Sequence, residues 1–216
     1  MCDPLAQVTV LDCEINSIKL TVFKVKEITN TLNTRKATGP DLVHNKLLIA
    51  ASDVICVHLA GFFNRCLNES IFPFIWKTAP VTPVYKKGNA TLCNNYCPIS
   101  LQSCVGKVFE RCIHKHVHEI LMLNNIITPS QSGFLSGDST TSPLLCIYEY
   151  LCSNFDKRIT TQSVYFDISK AFDRVWHRDF IQKLESIGIR EKLLKWFYSY
   201  LTDRTQAVVI KGEKIV

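Results

Sequence analysis

Apolar residues recur at helical spacing in several stretches of the chain, separated by short polar or glycine-rich breaks. From Phe23, the positions Val25, Ile28 and Leu32 predict a short helix. It ends at "NTRKATGPD", where Gly39 and Pro40 break the chain and Asp41 is placed to cap the next helix. The longest apolar run, "LLIAASDVICVHLAGFF" (47–63), contains Asp53 and His58 and reads as a buried helix, not a membrane span. Helical spacing continues over 53–69 through Ile55, Leu59, Phe62, Phe63 and Cys66. A strand is predicted at 79–85, closing in the basic turn Lys86-Lys87-Gly88. The next helix, 103–123, has the apolar face Val105, Val108, Phe109, Cys112, Ile113, Val117, Ile120 and Leu121. Lys107, Arg111 and Lys115 form a basic line along it, read as a solvated face.

The second half begins with a glycine- and hydroxyl-rich loop, "TPSQSGFLSGDSTTSP" (128–143). Ser139 or Thr140 is placed to cap a helix carrying Leu144, Leu145, Ile147, Tyr148 and Leu151. A strand at 163–167 is followed by helices at 170–187, ended by Gly188, and at 190–202. The strand "QAVVI" then opens a hairpin that reads as lacking its second strand. Residues 1–20 show no regular pattern, and no repeat or low-complexity tract interrupts the rest.

Composition narrows this little. With 47% hydrophobic and 20% charged residues the chain is ordinary for a folded protein. A net charge of +6 and a pI near 8.8 are compatible with a polyanionic partner without demanding one. The 10 cysteines are scattered, with no pair two residues apart, so they read mostly as small buried hydrophobes in a reducing compartment. The start, "MCDPLAQ", has no basic segment leading into an apolar one and reads as no signal peptide.

Chemistry concentrates in "VYFDISKAFDRVWH" (164–177). Three apolar residues run into Asp167, placing a carboxylate at the carboxyl end of a predicted strand, where sheets present ligands. Nucleotidyl transfer needs divalent metals held by hard oxygens, and Asp167 with the Ile168 carbonyl suits that task. A helix cap suits Asp167 equally well on spacing alone. Asp173 reads as a structural acid paired with Lys170 or Arg174. Phe172 reads as core packing.

Taken together, these blocks resemble the reverse transcriptases of non-LTR retrotransposons of the LINE or jockey type. "VYFDISKAFDRVWH" resembles their first catalytic motif. "RKATGPD" (35–41), "FPFIWKTAPVTPVYKKG" (72–88) and "NYCPISLQSCVGKVFE" (95–110) resemble their finger blocks in the same order, and "QSGFLSGDSTTSPL" (131–144) resembles a block particular to these enzymes. "VWHRDFIQKLESIGI" and "WFYSYLTDRTQAV" continue in the manner of the family's palm, so the resemblance covers roughly residues 23 to 216. It implies an α+β right-hand polymerase fold: an irregular segment over 1–22, helix-rich fingers over 23–160, and an incomplete palm sheet over 161–216, without a thumb. Asp167 is then the first metal-binding acid, with Ile168 adding its carbonyl to Mg2+ or Mn2+. Phe172 becomes a gate against the ribose 2′-hydroxyl. Lys86 and Lys87 meet the incoming triphosphate, and Gly133, Phe134 and Ser139 lie near the template. The implied partners are an RNA template, a DNA primer and deoxynucleotides, in an intracellular setting without a membrane.

Two departures qualify that picture. Cys97 stands where the family has an arginine that holds the triphosphate, a contact worth roughly 1.5–3 kcal/mol. The later pair of adjacent aspartates is absent from the sequence. One acid does not complete a two-metal site, so this chain alone is expected to be inactive as a polymerase. The competing expectation is an inactive relic, at most an RNA-binding module. A maturase-like or telomerase-like relative fits "KAFDRVWH" and "GFLSGDST" less well.

Overall fold

The computed structural model describes residues 14–210 and the backbone of 213–215. Residues 1–13, which hold Cys2, Cys13 and most of the segment read as irregular, lie outside the described residues. Helix α1, Val22–Asn30, starts at Thr21, whose hydroxyl accepts from the Lys24 N–H at 3.2 Å. It turns Val25 and Ile28 inward, as the spacing predicts.

The apolar run at 47–63 is not one helix. A turn at Ala51 divides it into α2, Asn45–Ala50, and α3, Ser52–Asn68. Leu48, Cys56, Leu59 and Phe63 enter the core, whereas Leu47, Val54 and Val57 are more than half exposed. No helix among the described residues is long and apolar enough to cross a membrane.

Asp41 does not cap α2, whose N-cap position is His44. Instead its carboxylate accepts from the Val43 N–H and from the Ser103 hydroxyl. Ser103 caps α4, Cys104–Leu123, by accepting from the Gly106 N–H at 3.2 Å. Asp41 thus fastens the loop after α1 to the first turn of α4. Gly39 permits the approach, because a Cβ there would lie 2.5 Å from the Ser103 nitrogen.

The core gathers on α1, α3, α4 and α7, Glu191–Leu201. Phe63 and Phe109 stack with centroids 4.5 Å apart, and Trp196 meets Phe109 edge-on at 5.3 Å. Aromatic pairs of this kind add to the burial energy, so the cluster is the main lock between α3, α4 and α7. Ile15, Ile18 and Leu20 are buried in the same core, and Ile15 bridges to Ile189. Fewer of the described cysteines are buried than their pattern predicts. Cys56, Cys66, Cys104 and Cys112 are buried, while Cys93, Cys146 and Cys152 are exposed.

One four-stranded sheet, in the order β2-β1-β3-β4, flanks the helices. Strand β1, Thr78–Tyr85, pairs antiparallel with β2, Tyr96–Ser100, and parallel with β3, Thr205–Ile210. Pro83 lies opposite Pro98, so two residues without N–H groups share one register position near the sheet edge. The hairpin expected to lack a second strand has one: β4, Glu213–Ile215, pairs antiparallel with β3.

Between Val117 and Leu184 no residue is buried. Helix α5, Thr141–Asp156, lies in this stretch with Leu144, Tyr148, Tyr150 and Phe155 more than 60% exposed. Thr140 holds its N-cap position, as the sequence predicts, but makes no side-chain cap hydrogen bond. The strand expected at 163–167 does not form, and Val164, Tyr165 and Phe166 are 65%, 78% and 93% exposed. Strand propensity is realised only against a partner that takes up the backbone hydrogen bonds, and no described strand runs beside this segment. The helix predicted for 170–187 is a 3-10 turn, Ala171–Arg174, followed by α6, His177–Ser186.

Candidate active site

Asp167 sits in the irregular connection between α5 and the Ala171–Arg174 turn, exposed to solvent. Its carboxylate has no hydrogen bond or salt bridge among the described residues, so it is not a helix cap. The turn that follows is entered through Lys170 in the left-handed region (φ 53), with no side-chain cap. Ile168, also exposed, follows in the same irregular segment. The ion pair expected for Asp173 is absent: neither Lys170 nor Arg174 reaches it within salt-bridge distance, and its N–H donates to the Lys170 carbonyl at 3.0 Å.

Phe172 is not a core residue. It is 80% exposed, and its ring meets Phe134 edge-on at 6.1 Å. The fold thus brings together two residues far apart in sequence that the family resemblance assigned to nucleotide and template. Phe134 lies in the left-handed region (φ 64) and is 86% exposed. Around Gly133 nothing lies within 4 Å of a built Cβ, so its backbone faces open space.

The loop is organised by Asp138, which the pattern analysis passed over. Hydrogen bonds from the Ser132 and Ser142 hydroxyls and from the Ser139 N–H (2.7 Å) hold its carboxyl below the usual carboxylate range. Ser139 therefore serves as backbone donor to this acid, and its hydroxyl lies 3.5 Å from that of Ser142. The available signal was an acid flanked by hydroxyls in "GDSTTS".

Lys86 and Lys87 occupy the exposed turn after β1. The turn is braced from beneath. The Asn95 side chain fills the space under Gly88 (φ 92) and donates to the Asn89 carbonyl at 2.8 Å. Tyr85 donates to the Gly88 carbonyl, Tyr96 donates to the Ala90 carbonyl, and the two rings meet at 5.6 Å. Cys97 lies opposite Val84 in the adjoining ladder, two residues from Lys86. No hydrogen bond or salt bridge joins this turn to Asp167 or Phe172 among the described residues.

As a metal centre the donor set is incomplete. No group of three or more His, Cys, Asp or Glu side chains converges among the described residues. Asp167 and the Ile168 carbonyl fit as two oxygen ligands but not as a whole site.

The family model described as "Reverse transcriptase (RNA-dependent DNA polymerase)" matches residues 84–215. The chain is 30% identical over 202 residues to the probable RNA-directed DNA polymerase from transposon BS of Drosophila melanogaster, covering 91% of this chain and 22% of that protein. It is 29% identical over 196 residues to the RNA-directed DNA polymerase from mobile element jockey of the same fly, covering 90% and 21%. The polyprotein of the type-1 retrotransposable element R2 from Popillia japonica is 27% identical over 148 residues. The chain spans about a fifth of the length of these curated relatives. A matched domain that contains the hairpin turn, Phe134, Asp167 and Phe172, and relatives that align along most of the chain, place it in the reverse transcriptase family of non-LTR retrotransposons.

Proposed function

We propose that this chain forms the fingers (23–160) and front palm (161–216) of a right-hand polymerase that copies an RNA template by adding deoxynucleotides to a DNA primer. The observation that carries the reading is the state of Asp167: an exposed acid with no hydrogen bond or salt bridge among the described residues, five positions before an aromatic residue that is 80% exposed and meets only the rim of Phe134. A cap would have bonded a helix N–H and a core ring would have been buried; these two are exposed and accessible to a substrate.

Asp167 is assigned as the first acid of a divalent metal site for Mg2+ or Mn2+, with the Ile168 carbonyl beside it. The bound cation supplies charge neutralisation at the phosphates. Since this chain holds one such acid, the remaining carboxylates must come from elsewhere, and no chemical step is assigned to these residues alone. Phe172 excludes a ribose 2′-hydroxyl by occupying the space beside the sugar. Lys86 and Lys87, on a braced turn, approach the triphosphate as point charges. Gly133, Phe134 and Ser139 form the loop over the template, and the setting is intracellular. Cys97 favours a second reading, in which the chain binds RNA without catalysis, because a thiol does not replace a guanidinium at a triphosphate.

The test is sugar selectivity in a chimaera carrying this chain ahead of the remaining part of the jockey polymerase. Phe172→Val should admit ribonucleotides in primer extension while deoxynucleotide incorporation persists. Unchanged selectivity removes the gate, and no extension by the parent chimaera favours the non-catalytic reading.

A further inference from the structure

The cleft between α4 and the α6–α7 pair holds about 530 Å³ and is mainly apolar. That size is ordinary for a small-molecule site, where an apolar lining carries a few polar groups that orient the ligand. Here the polar groups are unevenly spread along α4. Lys107 and Arg111 stand about one turn apart at one end, with the exposed His114 beyond them, and neither cation forms a salt bridge among the described residues. Lys115, the third base of the line seen in the sequence, turns away to Glu27 at 2.6 Å. Glu110, the acid of the lining, is engaged by Arg204 at 3.8 Å and by the Tyr200 hydroxyl. Further along, Val117 and Leu121 share the lining with Phe180 and Leu184 of α6. There the His118 Nε2 is buried without a hydrogen-bond partner among the described residues, so it offers the cleft no donor. None of these residues belongs to the hairpin turn or to 164–177.

We propose that this cleft binds an aliphatic monocarboxylate of the fatty-acid type, its carboxylate against Lys107 and Arg111 and its chain along Val117, Leu121, Phe180 and Leu184. Charge complementarity sets both the sign and the number. With the histidines neutral, two cations against one carboxylate leave a single positive charge on the lining, and it lies at one end. A monoanion matches that charge, whereas a polyanion would lay further charges on an apolar wall that has no partners for them. The Arg111 guanidinium suits a carboxylate, which such a group grips by two parallel hydrogen bonds. Shape sets the rest. From Lys107 to Leu121 the helix rises about 21 Å at about 1.5 Å per residue, so the cleft takes an extended chain in preference to a compact ring. Each methylene buried along it adds to binding. The inference does not rest on the polymerase reading, and no residue assigned in that reading takes part.

The test uses the full chain and isothermal titration with decanoate, kept below the concentration at which it forms micelles. The native chain should bind a single decanoate, and dodecanoate should bind about ten-fold tighter because two further methylenes are buried. The uncharged 1-decanol should bind about ten-fold more weakly than decanoate. Lys107→Gln with Arg111→Gln should weaken decanoate about ten-fold and leave 1-decanol unchanged. Phe180→Asn should weaken both by about five-fold. The proposal is overturned if the native chain does not bind decanoate, if affinity does not rise with chain length, or if 1-decanol binds as well as the acid. It is overturned too if the double variant, with an unchanged melting curve, binds decanoate like the native chain. Displacement of decanoate by polyglutamate or a short oligouridylate assigns the cleft to a polyanion, and a dimer that Phe180→Asn dissociates assigns it to a second copy; either overturns the proposal. All of these outcomes leave the polymerase reading standing, which primer extension tests by itself.

Discussion

Glu110 shows how much a single half-buried acid constrains this molecule. Burial between α4 and α7 pushes its carboxyl up, only partly offset by the Arg204 guanidinium and the Tyr200 hydroxyl. Tyr200 is itself pushed up to about 12, chiefly by burial. Arg204 completes the group by stacking over the Tyr200 ring at 4.2 Å. A carboxyl with a raised folded-state pKa stabilises the fold fully below its unfolded value, and that contribution is lost as pH climbs through the raised value. Urea midpoints should therefore decline with pH above the ordinary glutamate range in the native chain, and Glu110→Gln should flatten that decline; an identical pH profile in the two proteins contradicts the assignment. Asp167 and Asp173 differ in another way. Neither is paired, so the distinction between them rests on place: Asp167 closes an extended apolar run, while Asp173 lies inside a 3-10 turn. The cap at Asp167 and the ion pair at Asp173 were reasonable from spacing, but both needed a regular helix to begin at 169–170, and none does.

At the scale of elements, the loop–helix junction at Asp41 and Ser103 is the most closely fitted part of the chain. Gly39→Ala would force a methyl into the Ser103 backbone, and overpacking against atoms that cannot rotate away costs about 1–3 kcal/mol. Thermal melting should register a clear loss, and a wild-type melting temperature would show that the loop can lift. The elements that pack against the core were legible because their partners lie in the same chain. Periodicity finds α1, α3, α4 and α7 within a residue or two, and the β1 strand with its turn. What failed has more than one physical cause. The run "SVYFD" has strand composition, but a strand is a pairing, and pairing is not written in the segment itself. The break at Ala51 was missed because Leu47–Phe63 is apolar on all sides, which blurs the helical period. Phe134 beside Phe172 was beyond reach, since no local pattern joins residues 38 positions apart.

The whole molecule divides into a packed body and an unpacked arm. The body holds the core and the sheet, where β1 pairs in parallel with β3, 127 residues further along the chain. The arm, roughly 128–175, buries none of its residues and makes no hydrogen bond to the rest of the described residues, yet it carries Asp167, Phe172, Gly133, Phe134 and Ser139. Segments with few buried contacts open at little free-energy cost. Limited proteolysis should therefore cut within 128–175 first and leave the body's fragments associated; first cuts in α3 or α4 would contradict this division. The same exposure fits an arm built to meet nucleic acid. The central claim, that Asp167 is the acid on which nucleotide addition depends, is tested most directly by primer extension in the chimaera with the jockey polymerase. Asp167→Asn should lower extension by roughly a hundred-fold or more, while Asp173→Asn should stay close to the parent. Extension undiminished in Asp167→Asn, or abolished instead in Asp173→Asn, would contradict the account.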